Sequence, residues 1–318
     1  MTSPAPSRAV SARSSSPGTS PAMAPAMVAE VAGLPRVRRH HIGRWAAAAV
    51  ILLLLALVVR AFAQGQINWA VVGRFLTARS ILTGLAFTLV MTVLAMLLGI
   101  GSGVLFTVMK MSPNPVLRGV AEFYIWVFRG TPLLLQLLLW FNLALVFPTL
   151  GIPDIASWRT VDVMTPFVAT LLGLGLNQGA YTAEVVRGGI LSIDLGQTEA
   201  AKAIGMTRLT TLRRIVLPQA MRVIIPPIGN EVVSMVKLTS MASVIQYPDI
   251  LRNAQTVYYA NGLVIELLLV ASVWYLGVVT LLSLGQIVLE RRFARGQIRR
   301  QIATAPAAAV PKVEGAGA

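Results

Sequence analysis

The sequence predicts an all-α integral membrane protein, and three observations lead to that class. Hydrophobic residues make up 56% of the 318 residues, and the mean hydropathy of +0.72 is far higher than that of a soluble domain. Several apolar runs approach the length of about 20 residues that an α-helix needs to cross a bilayer. Basic residues gather in alternate connections between these runs, as the positive-inside rule requires of a protein with several spans.

The apolar runs divide the chain into tails, an anchor and a body. Residues 1–44, rich in Ser, Pro and Ala, are predicted to be a disordered cytoplasmic tail. Residues 45–63 are predicted to be a transmembrane anchor, 64–80 an interfacial helix on the outer side, and 291–318 a cytoplasmic tail. The body, 81–290, contains the predicted spans 81–109, 119–147, 164–188, 223–246 and 262–289.

The first apolar run allows one alternative. Ala61 and Ala63 flank Phe62 in a small-residue pattern typical of a signal-peptidase site, so a cleaved signal sequence competes with a retained anchor. The long leading tail favours the anchor. In both cases the next segment begins on the outer side, so the topology downstream is the same.

Charged residues orient the predicted spans. The net charge is +15, from 27 basic and 12 acidic residues. After residue 80, most basic residues lie between the first two body spans, in or beside the connection 190–222, or after the last span: Lys110, Arg118, Arg187, Lys202, Arg208, Arg213, Arg214, Arg222, Arg291, Arg292, Arg295, Arg299 and Arg300. The opposite connections have no basic excess. The positive-inside rule therefore places this connection and both termini in the cytoplasm. No basic patch is interleaved with aromatic residues, so we expect no nucleic-acid partner.

Several kinds of chemistry are excluded by composition. The chain has no cysteine, and both histidines, His40 and His41, lie in a basic run near the N-terminus. The apolar body therefore has no imidazole for a metal site or a general base. The P-loop pattern G-x-x-x-x-G-K-[ST] does not occur in the sequence. We expect no enzymatic activity and no cofactor, and any use of ATP requires a separate subunit.

The connection 190–222 holds the most informative motif. The spacing E-A-A-x3-G-x9-I-x-L-P is formed by Glu199, Ala200, Ala201, Gly205, Ile215, Leu217 and Pro218. Good helix formers with small side chains predict a short helix over 197–204. Gly205 can adopt the left-handed backbone conformation that commonly ends a helix. Thr207 is a predicted N-cap of the next helix, and Pro218 predicts another break. The alternative, an amphipathic helical hairpin on the membrane surface, explains the polarity but not the full spacing.

This spacing resembles the cytoplasmic coupling loop of the membrane subunits of binding-protein-dependent ABC importers. Further elements resemble the polar-amino-acid branch of that family, namely F-R-G-T-P-x-x-x-Q at 128–136, A-Y-x-A-E-x-x-R-G-G at 180–189 and K-x-T-S at 237–240. Leu238 departs from the last element, because many relatives have Asn there. The resemblance covers nearly all of 81–290.

The resemblance implies a type I ABC importer transmembrane fold, with five core helices plus one N-terminal transmembrane helix. It implies a permease subunit that moves a polar amino acid, such as histidine, glutamine, glutamate, arginine or cystine, across the bacterial inner membrane. The implied partners are a second copy or a related permease, cytoplasmic ABC ATPases, an extracytoplasmic solute-binding protein and membrane lipid. The implied ATPase contacts are Glu199, Ala200, Ala201, Gly205, Leu217 and Pro218.

Two other classes of function compete with this interpretation. An ion-gradient-driven secondary transporter of a small polar solute would use Glu and Lys residues in the membrane as a relay. A membrane-anchored scaffold without transport poorly explains the charges inside the spans.

Polar residues inside the predicted spans are candidates for the translocation path, because a charge at mid-bilayer costs about 2.5–3.5 kcal/mol and needs a partner or an aqueous cavity. The candidates are Arg129, Gln136, Asn177, Gln178, Tyr181, Asn230, Ser234 and Lys237. For Arg129, pairing with Glu122 or reaching the inner interface is the alternative. We expect Arg129 and Lys237 to face the protein interior or water rather than lipid. Glu184 and Arg187, three positions apart, are predicted to form a structural pair that fixes the approach to the coupling loop.

Proline and glycine predict irregular spans. Pro132, preceded by Gly130, predicts a kink in the second span. Pro226, Pro227 and Gly229 predict that the start of the fourth span is not a straight helix and leaves backbone groups that need protein or water. Two G-x-x-x-G pairs, Gly99–Gly103 and Gly175–Gly179, permit close helix contact and are only weak evidence for a dimer face.

The predicted topology can be checked by cysteine labelling, because the chain has no native cysteine. We expect a cysteine introduced at Thr207 to react with a membrane-impermeant maleimide only after the cells are opened. A cysteine at Arg159, in an opposite connection, should react in intact cells and serves as the control. Labelling of the Thr207 variant from outside intact cells would reject the topology.

Overall fold

The computed structural model describes residues 42–152 and 156–304, with side-chain surroundings for 43–151 and 157–293. The predicted tail 1–44 therefore lies almost wholly outside the described residues, as does the end of the second tail. The first helix, α1 (Ile42–Gln64), belongs to a compact unit of its own, Met1–Gly65. It contains the predicted anchor 45–63, and from residue 43 onward it is apolar except at Arg44, Arg60 and Gln64, and exposed at nearly every position. Such a surface suits a helix surrounded by lipid.

The second unit, Gln66–Ala318, contains the remaining elements. Its helices are α2 (Trp69–Leu76), α3 (Arg79–Lys110), α4 (Pro115–Gly130), α5 (Leu133–Phe141), α6 (Thr160–Val163), α7 (Pro166–Leu191), α8 (Leu195–Ala203), α9 (Arg208–Thr211), α10 (Leu217–Leu238), α11 (Ile250–Asn261) and α12 (Val264–Thr304). Short 3₁₀ turns occupy Leu143–Leu145 and Thr239–Ile245, and a π turn, Leu212–Val216, joins α9 to α10.

The number of helices that are long and apolar enough to cross a membrane is smaller than the six spans predicted. Among the described residues, α1, α3 and α12 are long and apolar enough to cross a membrane, and the pair α4–α5 is a fourth candidate, bent by 105°. The predicted third and fourth spans correspond to α7 and α10, which contain more polar residues than the other spans. In α7 the polar residues are turned inward, since Thr170, Asn177, Gln178 and Thr182 are all buried.

Three element boundaries differ from the prediction. The prediction of a helical membrane protein is confirmed, and the one addition among the described residues lies between α5 and α6, where β1 (Thr149–Ile152) pairs antiparallel with β2 (Ala156–Arg159). The second span is not one kinked helix over 119–147, because α4 ends at Gly130 and α5 begins at Leu133. The helix α12 continues to Thr304, well past the predicted span end at 289. The chain from 291 onward is therefore partly helical.

The helices α3 and α7 pack against each other along most of their length. Glycines permit this approach, because a Cβ atom on Gly99 would lie 2.6 Å from Cγ of Gln178 and one on Gly103 would lie 2.7 Å from Cβ of Thr182. The G-x-x-x-G pair of α7 faces back, since a Cβ atom on Gly175 would meet Leu98 of α3. Both pairs therefore serve packing within one chain, and not a dimer face.

The prolines of α10 do not end the helix, which runs unbroken from Leu217 to Leu238. The buried Gln286 of α12 lies against this segment and donates from Nε2 to the carbonyl oxygen of Pro226, at 2.8 Å. A Cβ atom on Gly229 would overlap Oε1 of Gln286. The irregular segment is thus covered by protein, as a helix carrying two prolines inside a membrane requires.

The start of α11 is joined to α3 and α12 by a buried polar cluster around Asp249. Asp249 is fully buried, and its Oδ1 caps α11 by accepting from the backbone N–H of Arg252 at 2.8 Å. Its Oδ2 accepts from the hydroxyl of Tyr275 on α12 at 2.9 Å. Thr88 of α3 accepts from the N–H of Ile250 at 3.2 Å. These bonds tie the three helices together.

The glycine contact between α3 and α7 predicts opposite outcomes for two neighbouring substitutions. Gly103→Ala and Gly101→Ala both improve helix propensity by about 1 kcal/mol, but nothing lies within 4 Å of a Cβ atom on Gly101. At Gly103 the new methyl group meets Thr182, and such overpacking costs about 1–3 kcal/mol. We expect the apparent Tm of purified Gly103→Ala to fall about 2–8 °C below that of Gly101→Ala. Equal Tm values would show that this contact is not tight.

Candidate functional site

The break between α4 and α5 lies where one backbone hydrogen bond of a continuous helix is missing. In a continuous helix the carbonyl oxygen of Phe128 would accept from the N–H of residue 132, but Pro132 has none. Two side-chain amides take its place: Nδ2 of Asn177 lies 2.8 Å from that oxygen, and Nε2 of Gln136 lies 3.0 Å from it. Gln136 also donates to the carbonyl and hydroxyl oxygens of Thr131, at 3.1 and 2.8 Å. Side-chain amides therefore satisfy the carbonyl oxygens of Phe128 and Thr131 at the 105° bend.

A polar cavity of about 500 Å³ opens beside this break. Five of the eight path candidates line it, which are Arg129, Asn177, Gln178, Tyr181 and Ser234. The guanidinium carbon of Arg129 lies 5.2 Å from the ring centroid of Tyr181, a cation–π contact. Arg129 does not pair with Glu122, which instead accepts from Arg118 at 2.9 Å.

Three path candidates lie elsewhere. Gln136 is buried behind the cavity wall, where it holds the helix break. Asn230 donates to Glu290 of α12 at 3.3 Å and does not line the cavity. Lys237 is exposed, does not line the cavity, and forms no ion pair with any described residue.

The cavity face of α10 overlaps the predicted face at Ser234 alone. The sequence pattern singled out Asn230, Ser234 and Lys237, whereas the lining residues are Glu231, Ser234 and Leu238. The face is therefore rotated about the helix axis by less than the angle of about 100° that separates neighbouring residues. Periodicity alone could not fix this phase, because both sets fit a helical repeat and the apolar Leu238 carries no signal.

Glu231 is the charged group on this wall that the path candidates omitted. Its Oε2 accepts from Nε2 of Gln178 at 2.5 Å and from the hydroxyl of Thr182 at 3.2 Å. No described basic side chain forms an ion pair with it. Its position inside a predicted span was the signal that could have identified it. The cavity therefore has a guanidinium from α4 and a carboxylate from α10.

Beyond the cavity, α7 carries the predicted pair and an additional cation. Glu184 Oε2 accepts from Nη2 of Arg187 at 2.8 Å, and Glu184 Oε1 lies 2.6 Å from Nζ of Lys110. Lys110 ends α3, and its role could not be deduced from motif spacing because it lies 74 positions away. The three charges join the ends of α3 and α7 immediately before the loop.

The loop after α7 has the local structure that its sequence predicts. The helix α8 ends in a Schellman motif, in which Met206 N–H donates to Ala201 O at 3.0 Å and Gly205 N–H to Lys202 O at 2.9 Å. Gly205 has a φ of +80°, the predicted left-handed conformation. Thr207 caps α9, accepting from the N–H of Thr210 at 3.3 Å. The helix α8 therefore stops and turns at a defined residue.

Other motif residues take different places. Glu199 and Ala200 are exposed on α8, whereas Ala201 is 1% exposed and is packed inside the chain. Leu217 and Pro218 lie in the first turn of α10. The break expected at Pro218 is absent, because a first-turn proline loses no hydrogen bond and the π turn before it leads directly into the helix.

Comparison with known proteins agrees with this geometry. Residues 95–295 match the family described as binding-protein-dependent transport system inner membrane component. The arginine transport system permease protein ArgU of Corynebacterium glutamicum is 41% identical over 280 residues, or 87% of this chain and 88% of that protein. The L-cystine transport system permease protein TcyB of Bacillus subtilis is 38% identical over 67% of this chain and 86% of that protein.

A solved structure extends the agreement to the fold. A crystal structure of an amino acid ABC transporter with histidines matches with a TM-score of 0.59 and 35% identity, covering 67% of this chain and 94% of that one. The chain therefore belongs to the family of inner membrane components of binding-protein-dependent transport systems. It has the type I ABC importer fold and is a permease subunit.

The amide of Gln136 yields a testable consequence. Gln136→Leu keeps a similar side-chain volume but removes the amide that donates, alongside Asn177, to the Phe128 carbonyl oxygen and also donates to both oxygens of Thr131. Each lost hydrogen bond contributes about 0.5–1.5 kcal/mol. We expect a lower apparent Tm for this variant. Asn142→Leu is the control, because the Asn142 amide is exposed and donates to one helix carbonyl. An unchanged Tm for Gln136→Leu would show that the break does not depend on this amide.

Proposed function

We propose that this permease carries a polar amino acid and that the 500 Å³ cavity belongs to its translocation path. The observation that carries the proposal is that the cavity has opposite charges on separate walls, with Arg129 on one wall and Glu231 on the other. A free amino acid presents a carboxylate and an ammonium group, which match a guanidinium and a carboxylate respectively. Asn177, Gln178 and Ser234 add neutral hydrogen-bonding groups between the two charges.

The names of the relatives support this class of substrate. The two permeases described above are named for arginine and L-cystine, and the solved structure is described as an amino acid ABC transporter with histidines. These compounds share the α-amino acid group and differ in the side chain. A cavity that recognises the shared group would leave discrimination between side chains to the solute-binding protein.

The helix α8 supports a coupling role for the loop. Its exposed residues Glu199 and Ala200 would contact a cytoplasmic ABC ATPase subunit, the small Ala200 permitting a close approach. Ala201 is buried and would act indirectly, by seating α8 against its own chain. ATP hydrolysis would be carried by that separate subunit. Movement of the ATPases would then be transmitted to α7 and α10, which flank the loop.

Exposed polar residues on α10 support assembly with a second permease subunit, identical or related. Lys237 is exposed next to the cavity-lining Leu238, and a lone ammonium group in lipid would cost several kcal/mol. A second subunit or an aqueous space between subunits removes this cost.

The basic loop and C-terminal segment favour a cytoplasmic location for both termini in the bacterial inner membrane. A secondary transporter is less favoured, because it gives no reason for the α8 motif.

Two variants and a control separate coupling from translocation. Gly205→Val forces a β-branched residue into the left-handed conformation, which costs at least about 1–2 kcal/mol, and should reduce ATPase copurification and binding-protein-stimulated ATP hydrolysis. Arg129→Gln should retain the ATPase but lose amino acid uptake. Gly188→Val is the control, because a Cβ atom there also meets nothing within 4 Å and its φ is not positive.

All measurements use transporter purified with its ATPase and reconstituted with its binding protein. Wild-type copurification and hydrolysis in Gly205→Val would contradict the coupling role of the loop. Wild-type uptake in Arg129→Gln would contradict the role of the cavity. Because the two readouts are separate, either half of the proposal can fail alone.

A further inference from the structure

A second cavity lies within the loop region, away from the polar cavity. It is an open cavity with a volume of about 370 Å³, lined by the end of α7, one side of α8, and the segment from α9 through the π turn. Leu191, Leu195, Leu212 and Val216 give it an apolar wall. Lys202 and Arg208 also line it. An apolar cavity with two cations fits an amphiphilic anion.

The charges of this cavity are not neutralised by the part of the chain that the structure describes. Neither Lys202 nor Arg208 forms an ion pair with a described residue. The nearest acidic residues in sequence are Asp194 and Glu199, and neither lines the cavity. Asp194 is engaged in capping α8, accepting from the N–H of Gly196 at 2.8 Å. The cavity is therefore locally positive.

The position of the cavity favours a lipid over a soluble anion. Leu191 is the last residue of α7, a predicted span, so the cavity begins where that helix leaves the membrane. Leu191 and Leu195 are exposed apolar side chains at this level, at 60% and 75% exposure. Basic pockets at the cytoplasmic side of membrane helices are suited to anionic lipid headgroups.

We propose that this cavity binds an anionic phospholipid of the cytoplasmic leaflet in the assembled transporter. An acyl chain would lie along Leu191, Leu195, Leu212 and Val216, and the phosphate would lie between Lys202 and Arg208. The lipid would fill the angle between α8 and the start of α10 and would stabilise the orientation of α8. The leaflet assignment rests on the proposed orientation of the loop.

The test measures lipid retained by the transporter purified with its ATPase in an uncharged detergent. Native mass spectrometry compares added phosphatidylglycerol with phosphatidylcholine of the same acyl chains, and glycerol phosphate as the free headgroup. We expect wild type to retain phosphatidylglycerol selectively. Lys202→Gln with Arg208→Gln should weaken this retention about tenfold or more, since each cation near anionic lipid contributes about 1 kcal/mol, that is, about fivefold.

The matched control is Arg213→Gln with Arg214→Gln, which removes the same charge from exposed residues of the same loop that do not line the cavity. It should retain the lipid as wild type does. Equal loss in both double variants would overturn the proposal in favour of general charge attraction. The proposal would also be overturned if the cavity variant retained phosphatidylglycerol as wild type does, or if glycerol phosphate bound as well as phosphatidylglycerol. It would likewise be overturned if bound ATPase excluded the lipid.

ATPase copurification in the same preparations reports folding and coupling independently of lipid. A cavity variant that keeps the ATPase but loses the lipid supports the proposal. Failure of lipid binding with intact copurification leaves the transport function untouched, so the two conclusions are tested separately.

Discussion

The close contact of α3 with α7 determines where the carboxylate of the cavity is held. Glycines at Gly99 and Gly103 bring α7 so near that Gln178 and Thr182 are buried against α3. Both side chains then point to Glu231 and hold its carboxylate at the cavity wall. Without that approach the two polar groups would have space to turn away, and the carboxylate would lose its described donors. A packing constraint between small residues thus fixes the electrostatics of the site.

Proline has a comparable effect on α4. Because Pro132 cannot donate a hydrogen bond, the carbonyl oxygen of Phe128 accepts one from Asn177 of α7 instead. This bond stabilises the bend that brings Arg129 to the cavity. The amide of Asn177 therefore has two roles, lining the cavity and supporting the opposite wall. A residue that supports backbone geometry is hard to distinguish by sequence from one that contacts a ligand, since both need the same polar group at the same depth.

The sequence was informative where local chemistry decides the structure. Gly205, Thr207 and the short α8 follow from helix propensity and capping, which depend on adjacent residues. The sequence was less informative where distant segments meet. Lys110 and Glu184 are paired by the packing of α3 on α7, and the 105° bend depends on a side chain 49 positions away. The β-hairpin at Thr149–Arg159 was missed because its short strands carry no regular alternation.

The helices α7 and α10 are fastened to each other at two levels. Close to the loop, Val186 of α7 packs with Ala220 and Ile224 of α10. Farther along, Glu231 bonds Gln178 and Thr182. Gln178 lies 13 residues before the end of α7 at Leu191, and Glu231 lies 14 residues after the start of α10 at Leu217. At 1.5 Å per residue the second level lies about 20 Å from the loop. Two helices fastened at both levels behave as one lever, so a displacement applied at the loop would reach the carboxylate of Glu231 with little lost in between.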